Sequence, residues 1–197
     1  MRYGAEHKQQ TRERILKEAA NAIRMEGVQK IAVAPVMAKA GLTQGGFYAH
    51  FASRDDLVAA AIDQMFLDGS ERLTASLEGR APAEGLAIYL DFYLSRAHCE
   101  TRTAGCPLPF LSADAPRLEP EARARITAGV RRMTDRIAVV LQAMGRPDAE
   151  TAAGSLVNEI VGAVSLARVE PDAEASDAIL ARSRRALAER FALPLAR

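Results

Sequence analysis

From Thr11 onward, apolar residues recur at three-to-four spacing: Ile15, Leu16, Ala19, Ala20 and Ile23, followed by Gly27 as a stop. The pattern predicts one amphipathic helix over 10–26. A second, short helix fits Val33 to Ala40. Pro35 falls inside its first turn, where a missing N–H costs no hydrogen bond. Gly41 ends it and Leu42 leads into Thr43, whose hydroxyl can cap a third helix that opens on "TQGGFYAHF". A fourth helix starts at "SRDD", where Ser53 and Asp56 form a Ser-x-x-Asp capping box, and it runs through Leu57, Ala60, Ala61, Met65 and Leu67 toward Leu77.

Beyond "EGRAP" the spacing predicts helices at 82–100, 107–113, 118–144, 149–168 and 173–192, with prolines near the proposed ends. No strand-like alternation, internal repeat or low-complexity tract interrupts them. The expectation is an all-α chain of about nine helices, with a helix-turn-helix unit over 1–54 and a helical bundle over 55–197.

The stretch Gly41 to Phe51 raises a question of its own. Gly45 and Gly46 weaken a helix by roughly 1 kcal/mol each relative to alanine, and three aromatic rings follow directly. A helix that enters the major groove must bring its leading residues close to phosphates and base edges, so side chains there obstruct the approach. Free N–H groups around Gln44 to Gly46 also favour an anion. Phe47 and Phe51, four apart, can pack inward. Tyr48 and His50 then point outward, Gln44 can reach a base edge, and Arg54 can hold a phosphate. The bland alternative is a loose turn over ordinary core aromatics.

Charge sharpens this picture. Residues 1–54 hold nine Lys/Arg against four Asp/Glu, while the remainder holds seventeen against twenty-one, so a formal net charge of +1 hides a basic front on an acidic body. A polyanion is the partner such a front suggests, although a solvated basic face needs none. Composition, with 49% hydrophobic residues and no Trp, fits a globular helical protein. The polar opening "MRYGAEHKQQTRERI" lacks a signal segment, and the apolar window Ala152 to Ala167 is short for a bilayer span, so the cytoplasm and no membrane partner are expected. There is no Gly-rich phosphate loop, HExxH, metal-spaced Cys/His set or G-x-S-x-G, so neither an enzyme nor a cofactor is expected. A helical interaction protein without DNA affinity stays open.

The run "TRERILKEAANAIRMEGVQKIAVAPVMAKAGLTQGGFYAHFASRDDLVAAAI" resembles the N-terminal DNA-binding domain of the TetR/AcrR family of transcriptional regulators. The resemblance implies an all-helical homodimer whose N-terminal domains read a palindromic double-stranded DNA operator, and a C-terminal domain that binds a small-molecule inducer and dimerises. Carried across position by position, it assigns DNA contact to Thr43, Gln44, Gly45, Gly46, Tyr48, His50 and Arg54. Ala34 and Ala49 depart from the family pattern, where polar, basic or aromatic side chains are frequent.

In the second part, "GCPL" is similar to a Gly-Cys-Pro/Leu stretch in some members of that family. Cys106, at a helix start with Arg96 and Arg102 close in sequence, is a candidate redox or electrophile sensor, with plain packing as the alternative. His98 beside Cys99 lacks metal-ligand spacing and reads as a solvated or capping residue. An apolar or aromatic inducer would be lined by Met65, Phe66, Tyr89, Phe92, Tyr93, Cys106, Phe110 and Met133, or these are ordinary core. A dimer seam is expected along the last two helices, at Gly154, Val157, Ile160, Val161, Val164, Ile179 and Leu187, with packing inside one chain as the alternative.

Overall fold

A computed structural model describes residues 2–194, with side chains from residue 6 onward. The described residues form α1 (Arg2–Glu26), α2 (Val33–Lys39), α3 (Arg54–Leu77), α4 (Pro82–Tyr93), α5 (Arg96–Glu100), α6 (Leu108–Leu111), α7 (Pro120–Ala143), α8 (Ala149–Val169) and α9 (Ala173–Phe191). Short 3₁₀ helices lie at Val28–Lys30, Gln44–Ala49 and Ala115–Arg117. No strand occurs among the described residues, so the all-α expectation stands.

Two boundaries differ from the sequence pattern, each for a local reason. The first helix begins at Arg2 rather than near residue 10, because its opening turns are rich in helix-forming Glu, Lys and Gln but carry no apolar stripe to betray them. The predicted helix 82–100 divides in two. Leu94 leaves the helical conformation and Ser95 turns extended, its hydroxyl accepting from the His98 N–H at 3.1 Å and donating to the Phe92 carbonyl at 2.7 Å. A serine at such a cap starts a new helix as readily as it ends an old one.

The chain gathers into two units, Met1–Phe66 with Arg102–Thr127, and Leu67–Thr101 with Ala128–Arg197. The first includes a segment distant in sequence, tied to α1 and to Asp63. The buried Arg24 guanidinium donates to the carbonyls of Thr103 (3.4 Å) and Gly105 (3.3 Å), and Arg125 pairs with Asp63 at 2.9 Å. Its core holds Ile15, Ala19, Ile23, Met37, Phe47, Phe51, Leu57 and Ile62, all buried.

In the second unit α8 packs along α9, and Ala153, Leu156, Val157, Ile160, Val164, Leu180, Leu187 and Phe191 of these helices are buried. Of the residues expected at a dimer seam, Val157, Ile160, Val164 and Leu187 are buried by the chain itself, while Gly154, Val161 and Ile179 keep exposed surface. Helix α8 is 21 residues long and its most apolar 18-residue window has a mean hydropathy of 1.2, enough to cross a membrane by length and composition only, a test that a core helix passes as well.

Candidate nucleic-acid interface

The turn that presents the site begins at Gly41. Its φ of +73° is the left-handed conformation that glycine adopts without a Cβ penalty. The Gly41 N–H donates to the Ala38 carbonyl at 3.0 Å and the Leu42 N–H to that of Met37 at 2.9 Å. These two bonds close α2 in a Schellman arrangement and swing the chain away.

Thr43 then lies extended, and residues Gln44–Ala49 wind as a 3₁₀ helix rather than the expected α-helix. The Thr43 hydroxyl makes no capping bond. Its carbonyl instead accepts the Gly46 N–H at 3.1 Å. Two glycines in so short a segment leave little propensity for α-helix, and the tighter i to i+3 pattern suffices.

Phe47 and Phe51 are both buried, with ring centroids 5.7 Å apart. They anchor the turn from beneath. Arg12 of α1 holds it from the side, its guanidinium 4.2 Å over the Phe51 ring and Nη1 donating to the His50 carbonyl at 3.0 Å. With both phenylalanines inward, Tyr48 is pushed outward and is 78% exposed, its ring edge-on to Phe47 at 5.3 Å. Thr43, Gln44, Gly45 and Ala49 are exposed beside it, and Gly46 is half-buried.

The two glycines meet no demand of the fold. A Cβ at Gly45 would have nothing within 4 Å, one at Gly46 would only touch Met37 Cε at 3.8 Å, and neither residue has a positive φ. Alanine would fit both positions. What their missing side chains leave open is space outside the chain.

Two expected contacts sit differently. His50 is half-buried, and its Nδ1 is shielded from solvent with no hydrogen-bond partner. Burial, then the nearby charges of Lys8 and Arg12, push its pKa down, so the ring stays neutral and only partly faces outward. Arg54, at the start of α3, spends its guanidinium on the backbone. It donates to the carbonyls of Val28 (2.6 Å), Ile31 (3.0 Å) and Gln29 (3.4 Å) and pairs with Asp55 at 3.2 Å. The Ser53 half of the expected capping box forms, the Asp56 N–H donating to Ser53 Oγ at 3.1 Å, while the Asp56 carboxylate accepts from the Ala52 N–H at 3.0 Å, one residue before the cap.

The residues expected around an inducer divide between the two units. Met65, Phe66, Cys106 and Phe110 lie in the first; Tyr89, Phe92, Tyr93 and Met133 lie in the second. Met65, Phe66, Tyr89, Tyr93 and Cys106 are buried, and Phe92, Phe110 and Met133 are half-buried. An aromatic cluster does form in the second unit, Tyr89 against Tyr93 at 5.8 Å, and His98 joins it, 4.7 Å from Tyr93 and 5.2 Å from Phe92. His98 is fully buried rather than solvated. Its Nδ1 donates to the Tyr93 carbonyl at 2.7 Å, and burial lowers its pKa to about 4. The Ser95 cap was the sequence signal for this inward turn. Neither Cys99 nor Cys106 is in a disulfide and both are buried, and burial pushes the Cys99 thiol pKa upward.

The exposed, glycine-thinned turn braced by two buried phenylalanines lies within a segment that matches a known DNA-binding domain. Residues 15–61 match the family model of the bacterial regulatory proteins of the tetR family. The chain resembles a TetR transcriptional regulator from Chloroflexus aurantiacus J-10-FL, at 27% identity and a TM-score of 0.78 over 95% of this chain and 96% of that one. It shares the fold of E. coli NemR in its reduced form (18% identity, TM-score 0.79, 91% and 97% covered) and of a TetR regulator from Legionella pneumophila (18%, 0.76, 90% and 95%). No curated protein matches the sequence. Residues 15–61 thus carry the DNA-binding domain of the tetR family, and the chain as a whole has the fold of TetR-family transcriptional regulators.

Proposed function

We propose that the protein is a cytoplasmic, non-enzymatic repressor that binds a palindromic operator as a homodimer and leaves it when a small apolar or aromatic inducer binds. One observation carries the DNA-binding part: Gly45 and Gly46 occupy positions where the fold would accept alanine, directly beside an exposed Tyr48. Thr43, Gln44, Gly45, Gly46 and Tyr48 form the approach surface, with His50 at its half-buried edge. Arg54 supports the turn beneath.

A second copy is the natural cover for the outer face of α8 and α9. Gly154, Val161 and Ile179 reach that surface, where Leu166 (63% exposed) and Val169 (80% exposed) add apolar area. The inducer acts by population shift. It binds better to a dimer geometry in which the two turns no longer match successive major grooves about 34–36 Å apart. Residues 1–54 supply the reading surface and 55–197 the inducer site and the seam.

Selection of bound duplexes from random-sequence DNA, followed by footprinting, tests this. Two protected half-sites related by a two-fold axis, one helical turn or a multiple apart, are the expected result. Recovery of no preferred duplex at about 100 mM salt, well inside the range where specific binding survives, contradicts it.

A further inference from the structure

Residues Gly41 to His50, which lead the chain out of α2 and through the 3₁₀ segment, include no Lys, Arg, Asp or Glu. In a 3₁₀ helix side chains three apart eclipse one another, so Gly45 shares a row with Tyr48, and Gly46 shares one with Ala49. Both rows end outward, at an exposed ring and an exposed methyl. The third row opens on exposed Gln44 and turns inward at buried Phe47. The approach surface thus offers a short, neutral set of groups: the Gln44 amide, the hydroxyls of Thr43 and Tyr48, and the methyls of Thr43 and Ala49. Charged groups that flank it in sequence or contact are engaged in the fold. Arg12 holds the His50 carbonyl and the Phe51 ring, Arg54 clasps three backbone carbonyls, Asp55 pairs with Arg54, and Asp56 accepts from the Ala52 N–H. Arg14 and the chain's four lysines, Lys8, Lys17, Lys30 and Lys39, are exposed but stand on other elements.

Each base pair asks for a different partner in the major groove. Guanine shows two acceptors, N7 and O6, which call for paired donors such as a guanidinium, and the cytosine N4 donor suits a carboxylate. Adenine shows one acceptor, N7, and one donor, the N6 amino group, and a side-chain amide carries one of each. Thymine adds a methyl group that packs on the methyls of Ala or Thr. Resting on the DNA-binding role proposed above, we infer that the operator half-sites are read at A·T pairs, with Gln44 bidentate to an adenine and Ala49 and Thr43 packed on thymine methyls. Gly45 and Gly46 bring the backbone close enough for these short groups to reach. This turn specifies no guanine.

The test is fluorescence anisotropy of the full-length protein on labelled duplexes recovered by selection from random-sequence DNA, with single base analogues placed in each half-site. Both half-sites should keep an invariant A·T pair. There 7-deazaadenine, which lacks the N7 acceptor, should weaken binding by about fivefold or more. Gln44→Ala should bind the adenine and 7-deazaadenine duplexes equally and accept any base at that position. Uracil in place of thymine removes only the methyl and should weaken the wild-type protein severalfold. Ala49→Gly and Thr43→Ser should each lose that sensitivity at one thymine. An invariant G·C pair whose preference disappears in Gln44→Ala or in Lys39→Gln overturns the inference. So does an A·T preference that survives Gln44→Ala and ignores both analogues, since duplex shape would then be what is read. Either result leaves the DNA-binding role intact, whereas a wild-type protein that binds no duplex removes the role itself.

Discussion

The guanidinium of Arg54 donates to the Val28 carbonyl at 2.6 Å, tying the first residue of α3 to the short 3₁₀ helix that follows α1. Two further carbonyls, of Ile31 and Gln29, complete the clasp. Helix ends leave carbonyls with spare acceptor capacity, and here one side chain donates to three carbonyls around the end of a 3₁₀ helix. The family resemblance assigns this position to phosphate binding, but its geometry is that of an internal strut.

Arg54→Ala is therefore expected to lower stability. Hydrogen bonds that involve a charged group contribute about 1.5–3 kcal/mol each when buried. Because the side chain is 38% exposed, a total loss of about 1–3 kcal/mol is the expectation. Arg54→Lys should recover only part of it, since an ammonium cannot span the fork of carbonyls. Urea denaturation of the three proteins checks this. A salt slope that flattens with no change in stability would return Arg54 to the phosphate-binding role.

Stability should also depend on pH through His98. Burial lowers its pKa from 6.5 to about 4, so the folded state binds the proton less readily than the unfolded chain. The favourable difference is fully present above about pH 6.5. It is lost progressively as pH falls toward 4, amounting to roughly 3 kcal/mol at 1.36 kcal/mol per unit. His98→Gln should be less stable at neutral pH and show a flatter stability profile across that window. Thermal unfolding between pH 4 and 7 measures both.

Cys99 and Cys106 are both buried, and nucleophilic attack needs an accessible thiolate. Titration with Ellman's reagent should find both thiols slow in the native protein and fast once it is unfolded in guanidinium. Rapid modification of Cys106 in the folded protein, accompanied by loss of DNA binding, would favour thiol sensing instead.

Gly85 marks the tightest packing seen at a glycine. A Cβ there would lie 2.7 Å from Leu77 Cδ2, 2.9 Å from Leu77 Cα and 2.9 Å from the Ser76 carbonyl oxygen. Two of these three neighbours are backbone atoms and cannot swing aside. Gly85→Ala should destabilise the protein by about 1–3 kcal/mol, as overpacking in a filled core does, even though alanine is the better helix former. Calorimetry decides, and an unchanged melting temperature would mean that α4 shifts freely on α3.

Much of this architecture is legible in the sequence. Apolar periodicity locates the helices, and the four-residue spacing of Phe47 and Phe51 places them inward with Tyr48 outward, because a turn that buries one pair of rings must expose the residue between. The partners of Arg54 are not legible. They are backbone carbonyls more than twenty positions upstream, and a carbonyl leaves no mark in a sequence. The seam along α8 is only partly legible, for a different reason. Periodicity reveals that a face is apolar but not whether the same chain or a second copy covers it, and the chain itself already buries Val157, Ile160 and Val164. His98 looks polar and therefore exposed, yet the Ser95 cap redirects the chain and carries it inward.

The most direct test is a substitution at Gly45, where the fold has room and the proposed DNA approach does not. Gly45→Ala and Gly45→Leu should fold as well as the wild type or better, with alanine adding up to about 1 kcal/mol. Both should bind the selected duplex more weakly, leucine the weaker of the two and by tenfold or more. Undiminished affinity in a stable Gly45→Leu protein would contradict the claim that this turn is thinned to lie against DNA.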